Sequence, residues 1–531
     1  MTESLFLGVD VGTGSVRAGL FTRAGRQVGR GEKAIRVWQE KTDHVEQSSD
    51  DIWQAACTSV KQALESAGVS GDAVAGIGFD ATCSLVALDA EGKPVTVSAS
   101  GEDERNVMVW MDHRALGDAD EINAGGHAVL EYVGGKISPE MQTPKLRWLQ
   151  RELPGTWQRT ALWFDLPDYL TWRATGSTDR SLCSTVCKWT YLGHERRWDT
   201  GYLNAIGLEG LAADPAPIGD VVRVPGERIG ELSASAGKEL GLPAGIPVAT
   251  SLIDAHAGAL GVLGAAATEA PLTDRLAIIA GTSACHLALS KDKVVAPGVW
   301  GPYYEALIPE AWLLEGGISA SGAFLDLVLA SHPATRGSEN AFDLAENAVR
   351  QQIEKGETEI SLTSSVHLQP NVLGNRSPLA EPALKGGMAG WHLHADEADL
   401  ARWYLAALQS LAYATRHIIE VLRESGSAVG LVVASGTSAT NPRWCQVHAD
   451  VLGIPVAVPE ESDGVLLGSA MLGATAAGEY GSLEEAMTSM ARPGHLYEPN
   501  PEMAAFHDRK YRVYRRMIDD QRDYDAMMRD A

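Results

Sequence analysis

The 531-residue chain is short of several features that would give it a ready interpretation. It has six cysteines, too few for a disulfide scaffold at this length, and we expect them to be reduced thiols. Excess positive charge is absent, and the formal net charge of -25 makes nucleic acid and anionic membrane surfaces poor partners. No apolar run is long enough to span a membrane, and no basic and apolar leader is visible, so the sequence favours a cytoplasmic protein.

Familiar nucleotide and metal motifs are missing as well. The chain has neither a Gly-x-x-x-x-Gly-Lys-Ser/Thr loop nor a Gly-x-Gly-x-x-Gly that leads into a helix, which excludes both of those phosphate-binding loops. Cys183 and Cys187 are four residues apart and could share a helix face. Because no second Cys/His pair is near them in the sequence, ordinary packing is favoured over a zinc site.

The elements that are present predict a mixed α/β protein. Residues 5–21 form a run of branched residues, a Gly/Thr/Ser turn and a second run, which is typical of a β-hairpin. Residues 50–66 have helical spacing, and residues 73–80 read as a buried strand that ends in an acid. Alternation of this kind indicates an α/β fold, and 531 residues exceed the size of one hydrophobic core.

The same pattern begins again in the second half of the chain. Residues 277–289 repeat the hairpin with its Gly-Thr-Ser turn, and residues 430–441 form a strand that runs into a small-residue turn. We therefore predict two related domains, residues 1–268 and 269–531, which face a shared cleft. The last stretch, from residue 506, has helical spacing and is interpreted as a packing helix.

The first hairpin turn carries groups that suit a phosphate. Its glycines allow close approach of the backbone, and the hydroxyls and amides of Thr13, Gly14 and Ser15 can donate hydrogen bonds to phosphate oxygens. Asp10, at the strand end, is placed to hold Mg²⁺, through water. One such turn alone is more often an ordinary β-turn, but the turns at residues 281–283 and 435–438 favour phosphate binding.

Three ordered motifs resemble those of a known family, the FGGY carbohydrate kinases. They are Asp-x-Gly-Thr-Gly-Ser-x-Arg at residues 10–17, Gly-Thr-Ser at 281–283 and Ser-Gly-Thr-Ser-Ala-Thr-Asn at 435–441. The resemblance implies two ribonuclease-H-like domains of the actin/hexokinase superfamily, with mixed sheets flanking a central ATP and sugar cleft. One departure is that Gly436 is followed by Thr437 where the family commonly has a second glycine.

The resemblance also implies roles for particular residues, with ATP and Mg²⁺ as cofactors. Asp254, in Asp-Ala-His-Ala-Gly, matches the catalytic base, although by itself it reads as a helix N-cap. His256 could compete for that role, but a structural role is favoured. Glu315 is expected near the sugar, and the expected nucleotide contacts are Gly281, Thr282, Ser283, Gly322, Gly436, Thr437 and Asn441.

Two further segments resemble those of ribulokinase-like members. The segment Thr82-Cys83-Ser84 follows a strand, and its short polar side chains suit the hydroxyls of an open-chain sugar. It resembles the substrate loop of the D-ribulokinase branch, although Cys83 could equally be a small buried residue. Lys188 matches in position a sugar-contacting lysine, although a lysine is usually solvated surface.

The favoured interpretation is a kinase that converts D-ribulose to D-ribulose 5-phosphate. The same chemistry on L-ribulose, xylulose, ribitol or glycerol is the alternative within enzymes. From another class, the fold would also suit a nucleotide-driven assembly or chaperone ATPase, which needs no sugar pocket. A sugar-binding protein without catalysis would lack Asp10 or Asp254, and both are present. The expected partners are the sugar and MgATP, and a homodimer is compatible with the sequence.

Overall fold

The computed structural model describes residues 4–265, 270–393 and 395–529. The predicted domain boundary at residues 268 and 269 lies outside the described residues and stays a prediction. The strands are β1 (Leu5–Val11), β2 (Ser15–Phe21), β3 (Gln27–Ala34), β4 (Trp38–Lys41), β5 (His44–Gln47), β6 (Val74–Ala81), β7 (Leu85–Leu88), β8 (Val107–Met108), β9 (Leu162–Asp165), β10 (Arg180–Ser181), β11 (Val222–Arg223), β12 (Arg228–Glu231), β13 (Pro247–Ala249), β14 (Leu252–Ile253), β15 (Arg275–Ala280), β16 (Ala284–Ser290), β17 (Trp300–Tyr304), β18 (Trp312–Ile318), β19 (His367–Gln369), β20 (Gly387–Ala389), β21 (Leu431–Ser435), β22 (Val456–Pro459) and β23 (Pro493–Tyr497).

Helices lie between these strands in both halves of the chain. They are α1 (Ser49–Ala67), α2 (Leu116–Ala124), α3 (Gln142–Glu152), α4 (Pro154–Arg159), α5 (Leu166–Thr175), α6 (Leu182–Lys188), α7 (Thr200–Ala205), α8 (Glu209–Ala213), α9 (Ala234–Leu240), α10 (Asp254–Leu263), α11 (Gly322–Ser331), α12 (Ala341–Glu354), α13 (Glu359–Thr363), α14 (Glu397–Glu424), α15 (Pro442–Leu452), α16 (Gly464–Ala476), α17 (Leu483–Met490) and α18 (Ala504–Arg529). Within the described ranges, none of them combines the length and the apolar character that crossing a bilayer requires.

The first large sheet is mixed, as predicted. Its strand order is β12-β13-β6-β1-β2-β3, with β14 also beside β6. Strand β1 pairs with β2 in antiparallel fashion and with β6 in parallel fashion. Every residue of β1 is buried, because the sheet is covered on both faces.

The second large sheet repeats this local arrangement. Its strand order is β17-β18-β16-β15-β21-β22-β23. Strand β15 pairs with β16 in antiparallel fashion and with β21 in parallel fashion, as β1 does with β2 and β6. The expectation of two related α/β units is therefore confirmed, and both predicted hairpins are present.

Two helices, α10 and α16, join the halves by close backbone contact. A Cβ atom on Gly468 would lie 1.9 Å from the carbonyl oxygen of Ala257, and one on Gly261 would lie 1.9 Å from that of Gly464. Helix α16 also packs on β1 and β6 of the first sheet. Only glycine permits this approach, so the late helix α16 becomes part of the first half's core.

The C-terminal helix α18 is a packing element, as its spacing predicts. Tyr511, Tyr514 and Ile518 are buried along one face. Tyr511 and Tyr514 both contact the ring of Tyr413 on α14. The helix therefore packs on α14, α15 and β19 of the second half.

Candidate active site

A cavity of about 330 Å³ lies between the two large sheets and is lined by residues of both. Strands β1, β6 and β14 run parallel, so their carboxyl ends meet at one edge and bring Asp10, Thr82 and Asp254 together there. The predicted site residues that line the cavity are Asp10, Thr13, Thr82, Cys83, Lys188, Asp254, Gly281, Thr282, Ser283 and Glu315.

The other predicted site residues do not line this cavity. They are Gly14, Ser15, Ser84, Gly322, Gly436, Thr437 and Asn441. Ser15 points away from it, since its hydroxyl lies 3.1 Å from a carboxylate oxygen of Glu32 on the exposed side of the hairpin. The cavity thus corresponds to the predicted sugar and phosphate end of the cleft.

Asp10 is the buried acid of the first hairpin. Only 1% of it is exposed, and the Nε–H of Arg17 donates to its Oδ2 over 2.7 Å. The two residues face each other in the register of β1 and β2. The turn beyond them is closed by a hydrogen bond of 3.0 Å from the amide of Gly12 to the carbonyl of Ser15.

A second acid, Asp80, lies beside Asp10 on the neighbouring strand. The two are register partners of β1 and β6. The hydroxyl of Ser469 donates to Asp80 Oδ2 over 2.5 Å, while Oδ1 is buried without a hydrogen bond in the described part of the chain. Burial first, and then the carboxylate of Asp10, raise the pKa of Asp80 well above its ordinary value.

This pair of acids fits a hard divalent cation. Mg²⁺ prefers oxygen ligands and is commonly bound through one or two carboxylates. Asp10 lines the cavity at the edge where the phosphates are expected, and Asp80 lies directly beside it on the neighbouring strand without lining the cavity. Asp10 was predicted from the sequence, whereas Asp80 was seen only as the acid that ends a strand.

Asp254 is the first residue of α10 and faces the cavity. The amide of Ala255 donates to its Oδ1 over 2.7 Å, which fixes the carboxyl group. Burial and the nearby carboxylate of Asp10 raise the pKa of Asp254 to about 6. A carboxyl group with this pKa is matched to accepting a proton near neutral pH.

The loop between β6 and β7 supplies short polar side chains. Thr82 and Cys83 line the cavity, whereas Ser84 is fully buried behind them. The hydroxyl of Ser84 accepts from the amide of Trp110 over 3.1 Å and lies 3.1 Å from that of Thr82. Burial raises the pKa of Cys83 to about 12, so its thiol is neutral. Ser84 thus orients the loop.

Opposite charges face the cavity from the two halves. Lys188 ends α6, and its Nζ lies 5.1 Å from the ring centroid of Trp300. Burial lowers the pKa of Lys188, but the carboxylates of Glu315 and Glu140 help to raise it well above its ordinary value. Glu315 lies on β18 and is buried at the cavity wall. Lysine as an ordinary surface residue, the alternative interpretation, does not describe Lys188, which is 4% exposed.

The sequence assigned no role to several cavity residues, among them Trp110, Glu140, Trp300 and Arg376. Arg376 lies 3.6 Å from Glu140 and over the ring of Trp300, and the indole of Trp110 donates to the Thr13 hydroxyl over 3.0 Å. None of the motifs described above includes these residues, and they lie far apart along the sequence.

The second hairpin turn is surrounded by the predicted nucleotide residues. The amide of Gly281 donates to the carbonyl of Ser283 over 2.8 Å, and that of Gly322 donates to the carbonyl of Gly281 over 3.0 Å. Gly436 has φ of 95°, and a Cβ there would lie 2.5 Å from the carbonyl oxygen of Ala280. Thr437 is exposed at the start of the turn Thr437–Thr440. Backbone from three segments therefore meets at this turn.

Asn441 has the contacts of a helix cap. Its Oδ1 accepts from the amides of Arg443 and Trp444 at the start of α15. Its Nδ2 donates to Glu346 and to the hydroxyl of Tyr404, both over 2.8 Å. The side chain is thus engaged by the protein, and its predicted contact with adenosine stays a prediction.

The fold and the cavity are those of a two-domain small-molecule kinase, and comparison with known proteins supports this class. The model for the FGGY family of carbohydrate kinases, N-terminal domain, matches residues 5–261, and the model for the C-terminal domain matches residues 276–477. The chain therefore belongs to the FGGY family of carbohydrate kinases. The family and the class of enzyme inferred from the motifs are confirmed.

Relatives match over nearly the whole chain. An FGGY carbohydrate kinase domain-containing protein of Xenopus laevis is 44% identical over 544 residues, which cover 99% of this chain and 98% of that protein. A D-ribulokinase of Saccharomyces cerevisiae is 37% identical over 523 residues, or 91% of this chain and 73% of that protein. The crystal structure of xylulose kinase from Rhodospirillum rubrum has a TM-score of 0.81 at 22% identity, covering 98% and 99% of the two chains, and shows the same fold.

Proposed function

We propose that the protein transfers the γ-phosphoryl group of ATP to the terminal hydroxyl of a ketopentose, with D-ribulose as the first candidate. The observation that carries this proposal is the position of Asp254, a fixed carboxyl group at the cavity between the two hairpin turns. The choice of D-ribulose rests on the Thr82–Ser84 loop and on the similarity to a D-ribulokinase of yeast.

The reaction assigns a separate task to each part of the cavity. Asp254 accepts the proton of the attacking hydroxyl as the sugar oxygen bonds to the γ-phosphorus and the bond to ADP breaks. Thr13, Thr282 and Ser283 donate hydroxyls to the phosphoryl oxygens. Asp10 and Asp80 would hold Mg²⁺, which neutralises phosphate charge when bound.

The sugar end offers complementary polar groups. Lys188 can donate to the hydroxyls or the carbonyl of the sugar, and Glu315 can accept from its hydroxyls. The neutral Cys83 thiol and the ring of Trp300 provide apolar wall. A site built to pair with several hydroxyls discriminates against analogues that leave those groups unpaired.

Substrate profiling tests the acceptor. Purified protein with MgATP is offered D-ribulose, L-ribulose, D-xylulose, ribitol and glycerol, and ADP release and sugar phosphate are both measured. We expect the highest kcat/KM with D-ribulose and little ADP release without sugar. Inert D-ribulose beside an active alternative would refute the substrate, and equal ATP hydrolysis without sugar would favour the assembly or chaperone class.

Replacing Asp254 tests the base. Asp254→Ala and the isosteric Asp254→Asn should lower kcat by about 10²–10⁴-fold, since general base catalysis contributes that much. ATP binding, measured by calorimetry, should stay near wild type, because Asp254 acts on the sugar. Near-normal turnover in either variant would overturn the assignment.

A further inference from the structure

A buried chain of polar groups leads from the interior of the first half to the sugar end of the cavity. The Nδ1 atom of His256 lies 2.9 Å from the Sγ atom of Cys183, and its Nε2 atom lies 3.3 Å from Oε2 of Glu315. His256 and Cys183 are fully buried, and Glu315 is 5% exposed. Of these three residues, Glu315 lines the cavity, whereas His256 and Cys183 do not.

Both ring nitrogens of His256 therefore face acceptors. Burial lowers the pKa of His256, but Cys183 and Glu315 outweigh it and raise the pKa to about 10. Burial likewise raises the pKa of Glu315, but Lys188 and the hydrogen bond from His256 lower it to about 2. The imidazolium thus donates from both nitrogens, and the carboxylate that it meets is ionised.

These three residues also connect elements of both halves of the protein. Cys183 lies on α6, which ends in Lys188, and His256 lies on α10 two residues after Asp254. Glu315 lies on β18 of the second sheet. His256 therefore links Glu315, on a strand of the second half, to two helices of the first half. These are α6, which carries Lys188, and α10, which carries Asp254.

We propose that His256 is a positioning residue for sugar recognition: it donates from Nε2 to hold the Glu315 carboxylate toward the sugar hydroxyls, while Cys183 holds the ring from the other side. This role rests on the proposed function, because it needs a sugar in the cavity. It predicts that His256 matters only through Glu315.

A double-mutant cycle of His256→Gln and Glu315→Gln tests this dependence. Kinetics are measured with the sugar that the wild type turns over best. Each single variant should lose roughly tenfold to hundredfold in kcat/KM for the sugar, mainly through KM, as expected for a hydrogen bond to a charged group. KM for ATP should stay near wild type. In the double variant the loss should be within about twofold of Glu315→Gln alone, since the second change removes no further contact.

Losses that multiply in the double variant would overturn the positioning role. It would also be overturned if the loss in His256→Gln fell on kcat and left the sugar KM unchanged. A wild type that phosphorylates no sugar would overturn the proposed function and this role with it. An active wild type with multiplying losses overturns this role only, so the two failures are distinct.

Two cysteine variants provide a second test that keeps the imidazole. Cys187 lies on the same helix as Cys183, equally buried, but its Sγ is 4.0 Å from Nδ1 of His256. We expect Cys183→Ala, which leaves Nδ1 of His256 without its nearest partner, to raise the sugar KM severalfold and Cys187→Ala to change it less, with unfolding temperatures recorded for both. Equal effects would contradict the proposal.

Metal analysis of the purified protein completes the test. The two sulphur atoms and Nδ1 of His256 lie within 4.8 Å of one another, close enough to share an ion. Because a metal-bound Nδ1 cannot donate to Cys183, one equivalent of zinc retained through chelation would overturn the proposal. Protein free of zinc with normal activity would support it.

Discussion

The two hairpins whose turns face the cavity have the same strand arrangement but differ in charge. In the first, the residues two positions outside the Gly12–Ser15 pair that closes the turn are Asp10 and Arg17, and Asp80 stands beside Asp10 on the parallel strand. In the second, the corresponding residues are Ile279, Cys285 and Ser435. Three charged residue types at the first hairpin therefore correspond to three uncharged residues at the second. In the proposed reaction, both turns would donate to phosphate oxygens, and the acids that would hold a cation lie at the first hairpin.

The largest effect should come from removing the acid of the first hairpin. Asp10→Asn should lower kcat by at least roughly a hundredfold, because Asp10 is proposed to hold the cation. The matched change Ile279→Val alters the corresponding position of the second hairpin and should keep kcat within about threefold. Steady-state kinetics at saturating MgATP checks both. Similar losses in the two variants would mean that the hairpins are functionally equivalent.

The next effect is a pH dependence that the first hairpin imposes on Asp254. The carboxyl group must be ionised to accept a proton, and its pKa is raised to about 6. The value of kcat/KM for the sugar should therefore be full above this pH and fall about tenfold per unit below it. Kinetics measured over a series of pH values at constant ionic strength determine the pKa at which kcat/KM falls. A flat profile down to about pH 5 would exclude Asp254 as the titrating base.

A smaller effect is expected at the uncharged hairpin. Thr282→Val removes one hydroxyl donor and should raise KM for ATP about tenfold, in line with one hydrogen bond to a charged group. Thr282→Ser keeps the hydroxyl and should restore the wild-type value. If serine and valine behave alike, the contact with phosphate is made by the backbone alone.

The smallest effect should be at Cys285, which corresponds to Arg17. Its thiol is neutral, since burial raises its pKa to about 12, and it contributes only wall to the cavity. Cys285→Ala should change kcat/KM for either substrate by less than about threefold. A loss as large as that of Asp10→Asn would show that the second hairpin also carries an essential side chain.

Local patterns predicted the elements of the fold well. Both hairpins were recognisable, because glycine, threonine and serine turns separate runs of branched residues. The strand around residues 74–81 and the helix from residue 504 followed from periodicity. Asp254 could be placed because it follows a strand and matches a motif. Such features need only a few neighbouring residues to be visible.

Contacts between distant segments could not be read in the same way. His256 and Cys183 are 73 residues apart, and Asp80 and Ser469 are 389 apart. Arg376 and Glu140 meet only when the two halves fold against each other. Tertiary packing decides such cases, and no local pattern encodes it.

The backbone contact between α16 and the first half bears on the order in which the chain is completed during synthesis. A Cβ on Gly78 of β6 would lie 1.9 Å from the carbonyl oxygen of Ser469, so this strand is shaped to receive α16 directly. Since α16 ends at Ala476, a ribosome must translate through residue 476 before the first sheet has this cover. The half made first is therefore finished late, and an N-terminal fragment expressed alone would expose its apolar strands to aggregation.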